Sequence, residues 1–209
     1  MLVTSGPPDS FPGVKLLAFS DLHRDLDQGA KLVEMSAGAD VVIGAGDFAS
    51  IHQGLEETIA SLEGIEKPTV LVPGNNETAD ALRAAAAGWE AAAVLHGEGT
   101  TIDGVEFFGL GAGVPTTPWD WSFDLTDDEA AAMAASCPEG AVLVLHSPPK
   151  GHCDGPDGGF GSRALLATIE AKRPRLVVFG HIHEAWGCAS EVDGTPLRNL
   201  GPSGTWLEI

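Results

Sequence analysis

Val14-Lys15-Leu16-Leu17-Ala18-Phe19-Ser20-Asp21-Leu22-His23 passes from an apolar stretch straight into an aspartate and a histidine two positions apart. A short, nearly continuous apolar run reads as a strand buried on both faces, so the polar pair sits where the strand ends. The same grammar recurs four times. Val41-Val42-Ile43 leads into Gly44-Ala45-Gly46-Asp47, and Thr69-Val70-Leu71-Val72 into Pro73-Gly74-Asn75-Asn76-Glu77. Residues 141–145 end at His146, and residues 176–179 lead into Gly180-His181-Ile182-His183-Glu184.

The segments between these strands predict helices. Leu26, Ala30, Val33 and Ala37 are spaced by three and four over residues 25–37, before Gly38, as an amphipathic helix requires. Residues 55–62 and the Ala-rich 78–87 are read the same way, so the opening third alternates strand and helix as an α/β layer does. The period then changes. Residues 100–102 and 105–108 flank Asp103-Gly104, a dipeptide suited to the positive φ angles of a tight antiparallel hairpin. Thr126 and Glu129 form a capping box for the next helix. Residues 147–161 make a long Gly/Pro-rich loop, Ser162 caps a helix to Lys172 that Pro174 breaks, and a hairpin at Asp193-Gly194 precedes a last strand over 205–209.

With 209 residues and 44% hydrophobic content, one domain with a real core is expected. It is placed at residues 14–209, behind a flexible Pro/Gly-rich leader over 1–13. Thirty acidic against 11 basic side chains give a net charge of -19, which argues against holding duplex nucleic acid by phosphate neutralisation. Cys137, Cys153 and Cys188 are odd in number and widely spaced, so neither a zinc ribbon nor a disulfide framework is expected, and a reducing compartment is the simplest fit. No signal peptide and no apolar run near the ~20 residues of a membrane helix is read. A soluble cytoplasmic protein without membrane contact is the expectation, and no protein partner can be inferred.

Collected at strand ends, Asp21, His23, Asp47, Asn75, His146, His181 and His183 form a mixed nitrogen and oxygen donor set without thiolate. Such a set suits borderline divalent ions rather than calcium or an iron–sulfur cluster. There are too many ligands for one ion. Shared between two ions with Asp47 bridging, they leave room for solvent, as a catalytic pair ~3.5–4 Å apart needs.

The ordered series Asp21-Leu22-His23, Gly46-Asp47, Gly74-Asn75-Asn76-Glu77, His146 and Gly180-His181-Ile182-His183 resembles the calcineurin-like metallophosphoesterase superfamily. With His146-Ser147-Pro148-Pro149 and the segment from Arg173 to Glu184, it resembles more narrowly the branch of small metallophosphoesterase-domain phosphodiesterases. The resemblance implies an α/β (α+β) fold, a four-layer α-β-β-α sandwich of two mixed β-sheets flanked by helices. It implies Asp21, His23 and His183 on a first metal, Asn75, His146 and His181 on a second, and Asp47 shared. The cofactors expected are two divalent ions, Mn first, with Fe, Zn, Ni or Mg as alternatives. The activity expected is hydrolysis of a small phosphate ester, a diester ahead of a monoester, by a metal-bridging hydroxide, with Asp47, Asn76 and His146 as catalytic residues.

One departure stands out. Where most of the family has a histidine after the Gly-Asn pair, this chain has Asn76, whose amide can hydrogen-bond a phosphate but cannot deliver a proton. Either another acid serves, with His52 and His152 as candidates, or the chain is a binding scaffold with little turnover. Trp119 and Trp121 are candidates to stack on a planar group of the substrate. Glu77 either supports the Asn75 loop or opens the following helix.

Overall fold

The computed structural model describes residues 13–156 and 159–209; the expected leader over 1–13 lies, but for Gly13, outside the described residues. In chain order the elements are β1 (Lys15–Phe19), α1 (Leu26–Ser36), β2 (Val41–Gly44), α2 (Leu55–Leu62), β3 (Thr69–Leu71), α3 (Ala79–Ala85) and β4 (Ala92–Val94). These are followed by β5 (Glu98–Ile102), β6 (Val105–Leu110), α4 (Asp127–Ala134), β7 (Val142–Leu145), α5 (Arg163–Lys172), β8 (Leu176–Phe179), β9 (Ala189–Val192), β10 (Thr195–Asn199) and β11 (Thr205–Glu208).

Two mixed sheets result. One has the order β11-β1-β2-β3-β4 and the other β5-β6-β7-β8-β10-β9. The strands that carry the polar ends pair in parallel with their neighbours: β1 with β2, β2 with β3, and β7 with β8. Parallel pairing brings their carboxyl ends to one edge of each sheet, where open α/β layers build their sites.

Alternation along each strand sorts the core into three slabs. Leu16 and Ala18 of β1 pack with Val41 and Ile43 of β2 against Phe107, Val142, Val144, Leu176 and Val178 of the second sheet. Leu17 and Phe19, one residue over, face the other way onto Leu32 of α1, Ile59 and Leu62 of α2 and Leu82 of α3. On the far side, Leu143, Leu145, Val177 and Phe179 pack against Leu165 and Ile169 of α5 and Ala130 and Ala134 of α4. Every central strand therefore buries both faces, which is why these runs are uniformly apolar. The result is the expected four-layer sandwich.

Local signals act as predicted. Asp25 caps α1 by accepting from Gln28 N, Thr126 and Glu129 form a reciprocal capping box, and Ser162 accepts from Leu165 N at the start of α5. Asp103 and Gly104 have φ of 50° and 79°, and Asp193 and Gly194 have φ of 47° and 86°, closing both hairpins. Strand β4 was not anticipated. Ala92, Ala93 and Val94 carry little β-propensity, and they pair with Thr69, Val70 and Leu71 because β3 offers an open edge.

The expectation of three unpaired cysteines is overturned. Cys153 and Cys188 form a disulfide, with sulfurs 2.08 Å apart across 35 residues of sequence, and only Cys137 is free. The long loop after β7 and the turn after β8 meet in space, a juxtaposition that counting and spacing could not reveal. Among the described residues no helix is long and apolar enough to cross a membrane.

Candidate metal centre

Tight backbone turns at the strand ends aim the candidate ligands inward. Asp21, His23, Asp47 and His181 all have positive φ, at 56°, 45°, 58° and 70°. Non-glycine residues in this region cost on the order of 1–3 kcal/mol each and persist only where the surroundings hold them. Here the loops are laced together: Asp21 N donates to Gly46 O, His23 N to Asp47 O, and Gly180 N to His146 O. Glycines permit the close approach. A Cβ on Gly74 would lie 2.0 Å from Asp47 Oδ1, and one on Gly180 would lie 2.3 Å from Asp21 Oδ2.

All seven candidates come together. Asp21, His23 and His183 place ligand atoms within 4.8 Å of one another, as do Asp47, His146 and His181. His23 Nε2 lies 3.6 Å from Asp47 Oδ2, and His146 Nε2 lies 3.5 Å from Asp47 Oδ1. Asp47 thus faces a histidine of each group, one per oxygen. Asn75 Oδ1 lies 3.3 Å from His146 Nε2 and 3.1 Å from His181 Nδ1.

Histidine tautomers test whether a cation fits. His146 Nδ1 donates to Ala45 O at 2.8 Å, and His23 Nδ1 donates to Ala49 O at 3.1 Å. In the neutral ring each imidazole therefore turns its Nε2 lone pair inward, the orientation that outer hydrogen bonds impose on metal-ligating histidines. Asn75 is set likewise. Its amide donates to Ser122 Oγ at 2.8 Å, which donates to Asp124 Oδ1 at 2.7 Å, leaving the carbonyl oxygen to face the histidines. Lone pairs from His23, His146, Asn75, Asp21 and Asp47 converge with few protons between them, and a divalent cation is what such a donor set fits.

The buried carboxylates carry the same signature. Burial, reinforced by the Asp21 charge, pushes the Asp47 carboxyl up to about 7. For Asp21 burial also acts upward, but the His183 imidazole, the nearby His146 and the Ser20 hydroxyl outweigh it and bring the group down to about 2. Burial and the neighbouring His146 lower His181 to about 3, keeping it a neutral ring.

The other predicted residues find different places. Asn76 is 5% exposed; its amide nitrogen donates to Asp47 Oδ2 at 2.7 Å and its oxygen accepts from Ile51 N at 2.7 Å. Its side chain is thus engaged with the Asp47 carboxylate and the 48–54 loop rather than turned outward. Glu77 resolves to the loop-supporting alternative. Fully buried, it accepts from Gly74 N, Asp47 N and Ala49 N at 2.7, 2.9 and 3.0 Å, and burial together with the Asp47 charge raises it to about 7. His52 N donates to Asn76 O at 3.0 Å, and its Nε2 lies 2.5 Å from Trp121 O. Trp119 and Trp121 stack at 5.5 Å and 13°, and Phe123 N donates to Asn75 O, so this aromatic loop borders the Asn75 side of the centre. His152 is bound through Nδ1 to Ser190 Oγ at 2.7 Å, away from the candidate ligands.

Ser122, Asp124 and Trp186 escaped the sequence reading, whereas Asn199 and Gly201 in the final hairpin are read from the sequence as lying near the site. Ser122 and Asp124 orient Asn75, and their only sequence signal is proximity to the two tryptophans. Trp186, three residues after His183, donates from Nε1 to Asp21 Oδ2 at 3.2 Å. Asn199 Nδ2 donates to Cys153 O, Gly180 O and Ile182 O, tying the disulfide loop to the His181–His183 turn.

The profile of the calcineurin-like phosphoesterase superfamily domain matches residues 14–208. The chain belongs to this superfamily. A UPF0046 protein of Caenorhabditis elegans is 31% identical over 214 residues, spanning 92% of this chain and 71% of the relative. Human metallophosphoesterase domain-containing protein 1 is 35% identical over 109 residues, which span 48% of this chain and about a third of the human protein, 32%. The crystal structure of a dimetal phosphatase from Danio rerio superposes with a TM-score of 0.64 at 12% identity, covering 92% of this chain and 88% of that one; at that identity the likeness is one of fold. This calcineurin-like phosphoesterase domain thus carries candidate ligand groups for the metal-dependent chemistry of its family.

Proposed function

We propose that this domain hydrolyses a small phosphodiester with the help of two divalent cations, Mn first and Fe, Zn, Ni or Mg as alternatives. The observation that carries the reading is the convergence of His23 Nε2 and His146 Nε2 on opposite oxygens of Asp47. Asp21, His23 and His183 would hold one ion, Asn75, His146 and His181 the other, and Asp47 both. Bound there, such a pair supplies Lewis acidity toward a phosphoryl oxygen and acidifies a water toward neutrality.

The chain's own residues supply the rest. Asn76 holds Asp47 in place, and with its oxygen on Ile51 N it has no proton to give a departing oxygen. A general acid is worth about 10²–10⁴ in rate, so we assign that role to His52. Its Nε2 lies 2.5 Å from Trp121 O, its backbone N donates to Asn76 O, and imidazole is the side chain that most often serves as a general acid. Trp119, half exposed, and Trp121 form a stacked shelf beside it, and stacking on a base-like ring is worth about 1–3 kcal/mol. His152, bound to Ser190, is the weaker candidate acid.

The test is the purified, Mn-loaded protein on bis-p-nitrophenyl phosphate beside Asp47→Asn. The variant is expected to lose most of the rate; equal rates would sink the reading. Asn76 favours a second reading, a binding scaffold with little turnover. Asn76→His separates the two: no activity in either protein across several metals supports the scaffold. The net charge of -19 argues against duplex nucleic acid as substrate. The expectation of a cytoplasmic location rested on unpaired cysteines as well as on the lack of a signal peptide, and the Cys153–Cys188 disulfide removes the first of these grounds.

A further inference from the structure

Trp186 lies at the open side of the centre. His183 and His23 expose 46% and 26% of their side chains, whereas Asp47, His146 and Asn75 are buried. A turn of 3-10 helix over His183–Ala185 brings the indole back over His183, with Trp186 N donating to His183 O. The two rings lie 4.4 Å apart at 32°. The indole N–H donates to Asp21 Oδ2, which also accepts from the Ser20 hydroxyl at 2.5 Å. His181 N reaches both oxygens of Asp21, Oδ1 at 3.1 Å and Oδ2 at 3.3 Å, and Oδ1, free of the Ser20 and Trp186 donors, is the oxygen presented to His183 Nε2, 3.7 Å away. Gly201 makes room, since a Cβ there would come within 3.0 Å of the indole Cγ. Trp186 itself is 40% exposed, so this placement is not demanded by core packing, and an exposed indole spent on one carboxylate and one imidazole calls for a role at that pair.

We propose that Trp186 is a positioning residue of the first metal's ligand set, orienting Asp21 through its indole N–H and His183 through its ring face. The proposal rests on the two-cation reading. Partners that orient ligands in this way are worth about 10- to 100-fold in metal affinity, and only the ion held by Asp21, His23 and His183 should feel the loss. On the Asp47–Asn75–His146–His181 side the side chains take outer hydrogen bonds from Ala45, Ser122 and Asn76, and only the backbone N of His181 reaches Asp21, so the indole bonds to none of that group's side-chain ligand atoms.

The experiment titrates Mn²⁺ into metal-free protein by calorimetry and by tryptophan fluorescence, for wild type, Trp186→Phe, Trp186→Ala and the remote control Trp206→Phe. Trp186→Phe keeps a ring over His183 but has no N–H, and is expected to weaken one of two sites by about tenfold. Trp186→Ala loses both contacts and is expected to approach about 100-fold at that same site, with the second site unchanged. The wild-type quench on Mn²⁺ binding should survive Trp206→Phe and shrink in Trp186→Phe. Unaltered affinities and an unaltered quench in both Trp186 variants, with far-ultraviolet spectra matching wild type, would overturn the proposal while leaving the two-cation reading intact. Failure of wild type to bind two ions would overturn that reading and the proposal together.

Discussion

Replacing Gly74 by alanine tests how finely the loops set the metal centre. Gly74 does not have positive φ, so alanine meets no backbone penalty and the effect comes from contact alone. The added Cβ would stand 2.0 Å from Asp47 Oδ1 and 2.2 Å from Asp47 N. The backbone nitrogen, 2.2 Å away, cannot swing aside as a side-chain terminus can, so the Gly46–Asp47 turn and the Gly74 turn must separate by more than 1 Å to reach ordinary contact at 3.4 Å. Overpacking of this kind costs about 1–3 kcal/mol in stability, and a displacement of about 1 Å in a catalytic group can cost on the order of 10²-fold in rate. Gly104 provides the contrast. Its φ of 79° disfavours alanine, but nothing lies within 4 Å of the new Cβ, so Gly104→Ala should lose about 1–2 kcal/mol and no activity. The assay is turnover of bis-p-nitrophenyl phosphate by the Mn-loaded variants, with bound Mn counted and urea unfolding measured on each. Wild-type turnover and two bound ions in Gly74→Ala, or equal activity losses in the two variants, would refute the reasoning.

Thr126→Ala removes the side-chain half of the α4 capping box, in which Thr126 Oγ1 accepts from Glu129 N, and should lower unfolding free energy by about 1 kcal/mol in a urea titration, without changing metal binding. The native protein should show no thiol reactive to Ellman's reagent. Burial pushes the single free thiol, Cys137, up to about 11, and one thiol should appear in denaturant and three after reduction, since Cys153 and Cys188 are paired. His96 accepts from Gly111 N through Nδ1, and its pKa is lowered from 6.5 by burial and then by Arg83. The neutral ring is therefore the folded form, its contribution is complete above pH 6.5, and it is lost as pH falls toward the lowered folded value. His96→Gln should flatten the fall in melting temperature below pH 6.5, and an unchanged slope would count against the assignment.

Much of this molecule is written locally. Strands such as Leu16 to Phe19 and Val142 to Leu145 announce themselves as apolar runs because each buries both faces, and Asp25, Thr126 and Ser162 mark helix starts by satisfying nearby amides. The seven candidate ligands were legible because each follows such a run. What could not be read depends on partners far along the chain. Strand β4 exists because β3 has an edge to fill, not because Ala92-Ala93-Val94 favours extension. Cys153 meets Cys188 across 35 residues, and Trp186 reaches Asp21 across 165; neither pairing leaves a periodic trace. Asn76 is the clearest division. The sequence alone determined that position 76 carries an amide, which can hydrogen-bond but cannot deliver a proton, since that is a matter of chemical identity. Only the tertiary structure decided that this amide faces Asp47 and the Ile51 nitrogen, because a side chain's direction is set by whichever donors and acceptors the folded loops bring within reach.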